Sequence, residues 1–525
     1  DEFQDLFIKN NRLSADAKNL FMRRILGKVS HFKGHTVDKY ATQETIEVHA
    51  ELSGYGLKVY KAFEENEEER ERRQKTQGKQ GRGSIFDLAI SMDNASTKGG
   101  TFRTDTRQAA NFIIPNISDK INGMNRPRKS AFGASNVLVA SMDDLQEKSK
   151  VEKAYSDARA EVLDAVREYW SQLQKDDEKT GNTLAKEVDR YKKDRDFNFL
   201  TKPGKCTLLN SLATSSPKMT RAMLLISVSP GTVMFYSQFV MMEGLEVFSI
   251  YLEVFGYSRF NKVSGKDYYR YADFELSSKK NEATRATFNN AANKLGKQIK
   301  VILLSKKSTA GITLANVRQV HILEPYWHET QIEQAIGRAI RNCSHKDLPL
   351  KDRDVKIYRY IVKQPSLKAT ADELLHELSA KKQSIVQDFR VAMEEASIDC
   401  MLNKNQNFKQ GEKPRCFIFD IESNFSNISQ AYVKDIQNDV VFDKGMYADE
   451  TKTQTVYAIQ ASIQVGTAKY LRSTKYWYDP ETMLIFDYEL HFIVGKAKKE
   501  KDGLPTQLQA AVFVIENRVN VPLIG

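Results

Sequence analysis

Residues 299–345 form an ordered series that few folds accommodate: an apolar strand, a small-residue loop, a second apolar strand, and a helix whose polar stripe carries two arginines. Ile299 to Leu304 is the first run. Ser305-Lys306-Lys307-Ser308-Thr309-Ala310-Gly311-Ile312-Thr313-Leu314 is the loop, with Gly311 free to take backbone conformations closed to other residues. Val320-His321-Ile322-Leu323 is the second strand, stopped by the proline of Glu324-Pro325-Tyr326-Trp327, and a helix begins near His328. That helix contains Gln334-Ala335-Ile336-Gly337-Arg338-Ala339-Ile340-Arg341. At helical spacing Gln334, Arg338 and Arg341 share one stripe and can converge on one ligand. A guanidinium is permanently charged and forked, which suits the charge that builds on a transferring phosphoryl group, and Gly337 lets backbone come close beside it. The alternative is a solvated amphipathic helix with two incidental arginines, and the strand–loop–strand context weighs against it.

The same pattern extends upstream. Gly231 to Phe239 reads as a buried strand ending in a polar loop, and Glu243 to Phe255 has apolar residues at 245, 248, 252 and 255, a helical stripe that stops at Gly256. Strands alternating with helices predict an α/β fold: a parallel sheet flanked by helices, with a helical insertion and a C-terminal β-rich or α+β domain. The expected divisions are a connection over 1–130, a charged helical insertion over 131–204, the sheet-bearing lobe over 205–365, a helical extension over 366–405 and the β-rich domain over 406–525. Within the first of these, Leu57 to Lys75 is helical, and its run from Glu67 to Arg73 reads as a solvated face. Residues 77–83 and 94–100 read as mobile loops within reach of DNA. Arg190-Tyr191-Lys192-Lys193-Asp194-Arg195 is an exposed helix end or a phosphate contact.

A net charge of +11 favours a polyanionic partner, although 68 acidic residues keep that signal moderate and solubility alone accounts for it. The four cysteines are widely spaced and fit no zinc or disulfide framework, so reduced thiols are expected. No apolar run of transmembrane length occurs, which predicts a soluble, intracellular chain with no membrane partner.

Several blocks carry a closer likeness: Phe21 to Gly27, Asn111-Phe112-Ile113-Ile114-Pro115, Ser216-Pro217-Lys218, Tyr236-Ser237-Gln238-Phe239 with Glu243-Gly244, Glu324 to Trp327, Gly337 to His345 with Leu348-Pro349, and Ser397-Ile398-Asp399-Cys400. Through them the chain resembles the Swi/Snf-like superfamily-two helicases and NTPases of nucleocytoplasmic large DNA viruses, the group of the poxvirus early transcription factor small subunit and nucleoside triphosphatase I. Residues 466–479 are a weaker echo. The resemblance implies a second RecA-like lobe with motifs IV, V and VI. It implies ATP in a cleft between two lobes, with Mg2+ held mainly by the first lobe, Arg338 and Arg341 catalytic, and Gln334, Gly337, Gly311 and Ser308 lining the nucleotide. Gln238 and Thr313 become nucleic-acid contacts, DNA first, or else ordinary strand-end caps. Trp327 either stacks on a base or packs in the core, and His345 either positions the helix end or interacts with its dipole. Relatives usually have an acidic residue where this chain has Ala310, so no carboxylate role is carried over there.

The first lobe's own signatures are not found. Gly204-Lys205-Cys206-Thr207 lacks the earlier glycine of a phosphate loop and has cysteine in place of the magnesium-binding hydroxyl; Asp1-Glu2-Phe3-Gln4-Asp5 has no apolar strand before it. The chain is therefore expected to be a fragment that needs the first RecA-like lobe and does not turn over ATP alone. The implied function is an ATP-dependent helicase or translocase in viral transcription, located in the host cytoplasm or virion, with viral RNA polymerase or a transcription factor subunit as a further partner. The alternative is an inactive nucleic-acid- or polymerase-binding subunit that retains the lobe.

Overall fold

The computed structural model describes residues 2–9, 12–25, 27–31, 40–77, 103–128, 142–200, 202–260, 269–273, 278–308, 311–402, 416–418, 446–447, 453–467, 470–480, 482–488, 493–496 and 510–516. The loops expected over 77–83 and 94–100 lie almost entirely outside these residues, as does Ala310. Two compact units are distinguished: Thr36–Ala380, and Asp1–His35 with Lys381–Gly525.

The first unit is built on seven parallel strands, β1 (Thr42–Ala50), β2 (Thr232–Tyr236), β3 (Ser258–Arg259), β4 (Arg270–Asp273), β5 (Val301–Leu304), β6 (Val317–Ile322) and β7 (Asp354–Val362), in the order β1-β7-β6-β2-β5-β4-β3. β2, β5 and β6 are buried at every position because helices cover both faces; β2 and β5 therefore read as largely apolar runs, while β6 also buries Arg318, Gln319 and His321. Alternate residues feed separate cores. Val233, Phe235, Val301 and Leu303 enter one; Met234, Tyr236, Ile302 and Leu304 enter the other. On the first face Phe235 stacks on Phe248 of the Leu245–Val254 helix. On the second, Ile332, Ala335 and Ala339 form the buried stripe of the Glu329–Ala339 helix, leaving Gln334 and Arg338 on its other side.

Three expectations need revision. The chain before residue 130 is not merely a connection, because β1 pairs with β7 along nine residues, from Thr42 with Asp354 to Ala50 with Val362. The charged insertion also contributes to the core: Val162, Leu163, Val166 and Trp170 of the Met142–Thr180 helix join the core on the first face, where the helix lies against the Thr207–Ser215 and Leu245–Val254 helices, Trp170 edge-on to Tyr251 and bonded to Ser211. Tyr191, within the cationic stretch 190–195, is buried against Phe197. The Glu67–Arg73 run is solvated only in part. Glu67 accepts the backbone N–H groups of Asp105 and Thr106, and Glu64, Glu68 and Glu71 surround the buried guanidinium of Arg103.

In the second unit the Glu2–Phe7 helix places Phe3 and Phe7 against Phe389, so Glu2 to Asp5 are helical and do not follow a strand. A five-stranded antiparallel sheet lies within residues 453–516. Cys400 and Cys416 are joined in a disulfide, which corrects the expectation of four reduced thiols; one pair separated by 16 residues gave no framework to read. Cys206 is a buried thiol and Cys343 an exposed one.

Candidate nucleotide and nucleic-acid site

Loops leaving the carboxyl ends of parallel strands are where such sheets bind ligands. Here register brings three of them level, because Tyr236 at the end of β2 pairs with Leu304 on one side and Ile322 on the other. Ser237–Gln238, Ser305–Ser308 and Leu323–Trp327 therefore leave the sheet side by side. The Glu329–Ala339 helix follows the third, its first turn tied to β7 by the 2.7 Å pair of Glu329 with Arg359.

The helix ends at Ala339, so Arg341 lies beyond it rather than on a continuous helical stripe. It folds back: its Nε donates to the Gly337 carbonyl at 3.1 Å and its Nη1 to the Thr313 hydroxyl at 2.6 Å. Arg338 and Arg341 pair with no carboxylate among the described residues, and the Nε of Arg338 is buried without a hydrogen-bond partner. By contrast Arg103, Arg126, Arg159, Arg318 and Arg359 each meet at least one carboxylate. Two half-buried cations with only neutral acceptors are short of an anion.

The helix end and the preceding loop are one piece. Leu314 N donates to Arg338 O, Asn316 N to Ser344 O, and His345 Nε2 lies 2.7 Å from Val317 O. His345 is thus a buried latch on the start of β6, its pKa lowered mainly by burial. Gly311 takes a left-handed conformation, φ +71°, open only at a strain cost to residues with a Cβ. Ser308 serves the turn itself, donating to Ser305 O at 3.1 Å and accepting from Ser305 N at 2.7 Å. Gln334 is exposed, and a Cβ at Gly337 would meet nothing within 4 Å, so Gly337 presents open surface. Gln238 donates from Nε2 to the Tyr236 hydroxyl at 2.6 Å, while the Thr313 hydroxyl is taken by Arg341.

Sequence reasoning missed a buried charge cluster beneath these loops. Glu324 accepts from Ser237 Oγ at 3.1 Å, from the Gln238 backbone N–H and from Asn111 Nδ2 at 3.3 Å. Lys218 donates to Asn111 Oδ1 at 3.1 Å and pairs with Asp372, which also accepts from Val362 N. Arg107 lies over the rings of Phe239 and Trp327, at 5.4 and 5.9 Å. Burial raises the pKa of Glu324 and lowers that of Arg107. A charge directly after an apolar strand (Glu324) or opening an apolar helix (Lys218) was the available signal. The false phosphate loop is also explained: Asp177 occupies the N-terminus of the Thr207–Ser215 helix, accepting from Thr207 N and Leu208 N.

The helicase conserved C-terminal domain family matches residues 218–343, which contain β2 to β6, the loops and both arginines. Residues 218–343 thus carry a helicase conserved C-terminal domain. Among its relatives, an Acanthamoeba polyphaga mimivirus protein whose name places it with ATP-dependent RNA helicases is 32% identical over 97% of this chain. A second mimivirus protein with a name of the same kind is 38% identical over 38% of the chain, and an African swine fever virus termination factor NPH-I homolog is 30% identical over 36%. The chain spans 63%, 35% and 33% of those proteins. Among the described residues no helix is long and apolar enough to cross a membrane.

Proposed function

We propose that this chain is the arginine-donating lobe of an ATP-dependent nucleic-acid translocase or helicase acting in viral transcription. The supporting observation is the pair Arg338 and Arg341, cations without a carboxylate partner among the described residues, at the carboxyl edge of a parallel sheet. ATP is the anion that fits them. Its magnesium has no place among cations and amides, so Mg2+ belongs with a first RecA-like lobe across the cleft. Closure of the two lobes brings Arg338 to the γ-phosphate, with Gln334 and the open face of Gly337 beside it and Gly311 and Ser308 shaping the neighbouring loop.

Arg341 ties that event to the loop carrying Thr313. Thr313 and Gln238 contact the backbone of a nucleic acid, DNA first, and both hydroxyl and amide are exchanged from internal partners to phosphate on binding. The named termination factor relative supports a role at transcription, with viral polymerase or a transcription factor as partner and host cytoplasm or virion as the setting. The test is nucleic-acid-stimulated ATP hydrolysis by the protein together with a first lobe. Arg338→Ala is expected to abolish stimulated turnover; undiminished turnover in Arg338→Ala/Arg341→Ala rejects the proposal in favour of a non-enzymatic binding subunit.

A further inference from the structure

Four separated segments supply the buried polar cluster of Arg107, Asn111, Lys218, Glu324 and Asp372, and nothing in the proposed reaction uses these residues. Lys218 and Asp372 are 0% and 1% exposed, Glu324 4% and Arg107 6%, and Asn111 is fully buried between them. Two cations face two anions, so the cluster is balanced. A buried set of this kind is weak as a source of stability, since apolar residues of similar volume do as well or better. Its retention has to be explained by what it holds in place.

What it holds is the loop after β2. The Glu324 carboxylate takes the Ser237 hydroxyl and the Gln238 backbone N–H, and Ser237 Oγ in turn accepts from Phe239 N at 3.1 Å. The far end of the loop is fixed by close packing: a Cβ on Gly244 would lie 1.8 Å from Phe239 O. On the other side of the carboxylate, Asn111 bridges to Lys218, and Arg107 holds Phe239 and Trp327. Between these anchors Val240 and Met241 are about half exposed, at 48% and 47%. The loop is thus presented outward from a rigid polar base.

We infer that Glu324 is a positioning residue for nucleic-acid binding: its carboxylate presets the Ser237–Phe239 backbone so that Gln238 meets a phosphate without first having to be ordered. The inference rests on the reading of Gln238 given above and deepens it. Ordering a loop beforehand lowers the cost of binding rather than adding a contact. Glu324→Gln keeps shape but removes the charge that Ser237 and Gln238 N–H address, and charge-assisted bonds are the strong ones.

The experiment is a double-mutant cycle on the whole protein, reading the dissociation constant for a fluorescently labelled DNA duplex by anisotropy, with the KM for ATP measured alongside. Glu324→Gln is expected to weaken DNA binding roughly ten-fold, about 1.4 kcal/mol, with KM for ATP unchanged. In a Gln238→Ala background the same change is expected to do almost nothing further, because the group being positioned is gone. Ser237→Ala, which leaves the charge in place and removes one donor, is expected to fold and to weaken binding by a smaller factor, so the inference remains testable if Glu324→Gln does not fold. Fully multiplicative effects of Glu324→Gln and Gln238→Ala, or a Ser237→Ala protein that binds as the parent does, overturn it. Absence of DNA binding by the unsubstituted protein instead overturns the functional reading on which it stands.

Discussion

The segment from Glu324 to Arg341 treats charge in opposite ways at its two ends. At Glu324 each charge is deeply buried and answered by an opposite one or by several hydrogen bonds. Fourteen residues later Arg338, and then Arg341, are partly exposed and, among the described residues, answered by neutral oxygens or by nothing. Matched charge fixes a shape, whereas unmatched charge waits for a ligand. On the function proposed above, burial alone does not mark the residues that meet the nucleotide; the lack of a carboxylate partner among the described residues does.

The largest effect should come from the unmatched end. Arg338→Ala is expected to lower stimulated kcat by roughly 10³–10⁵ in steady-state ATPase assays, with little change in thermal midpoint, since the guanidinium supports no ion pair of the fold. A large drop in stability with modest loss of kcat would break the contrast.

At the matched end the order of effects is expected to reverse. Lys218→Met leaves Asp372 and Glu324 buried against one remaining cation and is expected to destabilise by about 3–5 kcal/mol, read by urea unfolding. Adding Asp372→Asn should return part of that loss. If Lys218→Met is as stable as the parent, the cluster is not the closed network described.

His321 gives a titration test of matched burial. It is enclosed between Tyr360 Oη at 2.7 Å and Gln319 Oε1 at 3.2 Å, and burial pushes its pKa down to about 3 from 6.5. A depressed value means the unfolded chain binds the proton first. Its contribution is full above about pH 6.5 and is lost progressively as pH falls towards about 3, with a limiting slope of about 1.4 kcal/mol per pH unit. His321→Gln should flatten that part of the stability profile; an unchanged slope would show that the imidazole is solvated.

These differences also explain what the sequence disclosed. The strand–loop–strand–helix order was legible because β2 and β5 are buried on both faces and so are largely apolar, because β6 ends in the apolar pair Ile322-Leu323, and because Pro325 and Gly311 punctuate them. That Gln334 and Arg338 share one helix was legible from their spacing. β1 was not recognised as part of the sheet, since an edge strand hydrogen-bonded to β7 alone keeps exposed Gln43, Glu44 and Thr45. Trp170 was hidden in a helix whose other faces are charged. The Glu324 cluster was hidden for a different reason: Arg107, Asn111, Lys218, Glu324 and Asp372 come from positions up to 265 residues apart, and no local pattern records that their charges cancel.

The smallest expected effect separates the two uses of surface most finely. Glycine inside a helix costs about 0.8–1 kcal/mol relative to alanine, and nothing in the chain's own packing requires Gly337, since a Cβ there would find open space. Gly337→Ala is therefore expected to stabilise the protein by up to about 1 kcal/mol in thermal or urea unfolding, by lowering the entropy of the unfolded chain. If that face receives the nucleotide and the opposing lobe, the same methyl group stands where they must approach, and stimulated turnover should fall while stability rises. A variant that gained stability and kept full turnover would mean that the open face beside Arg338 is ordinary solvent-exposed surface, and the anion that these arginines await would then have to approach from the Thr313 side.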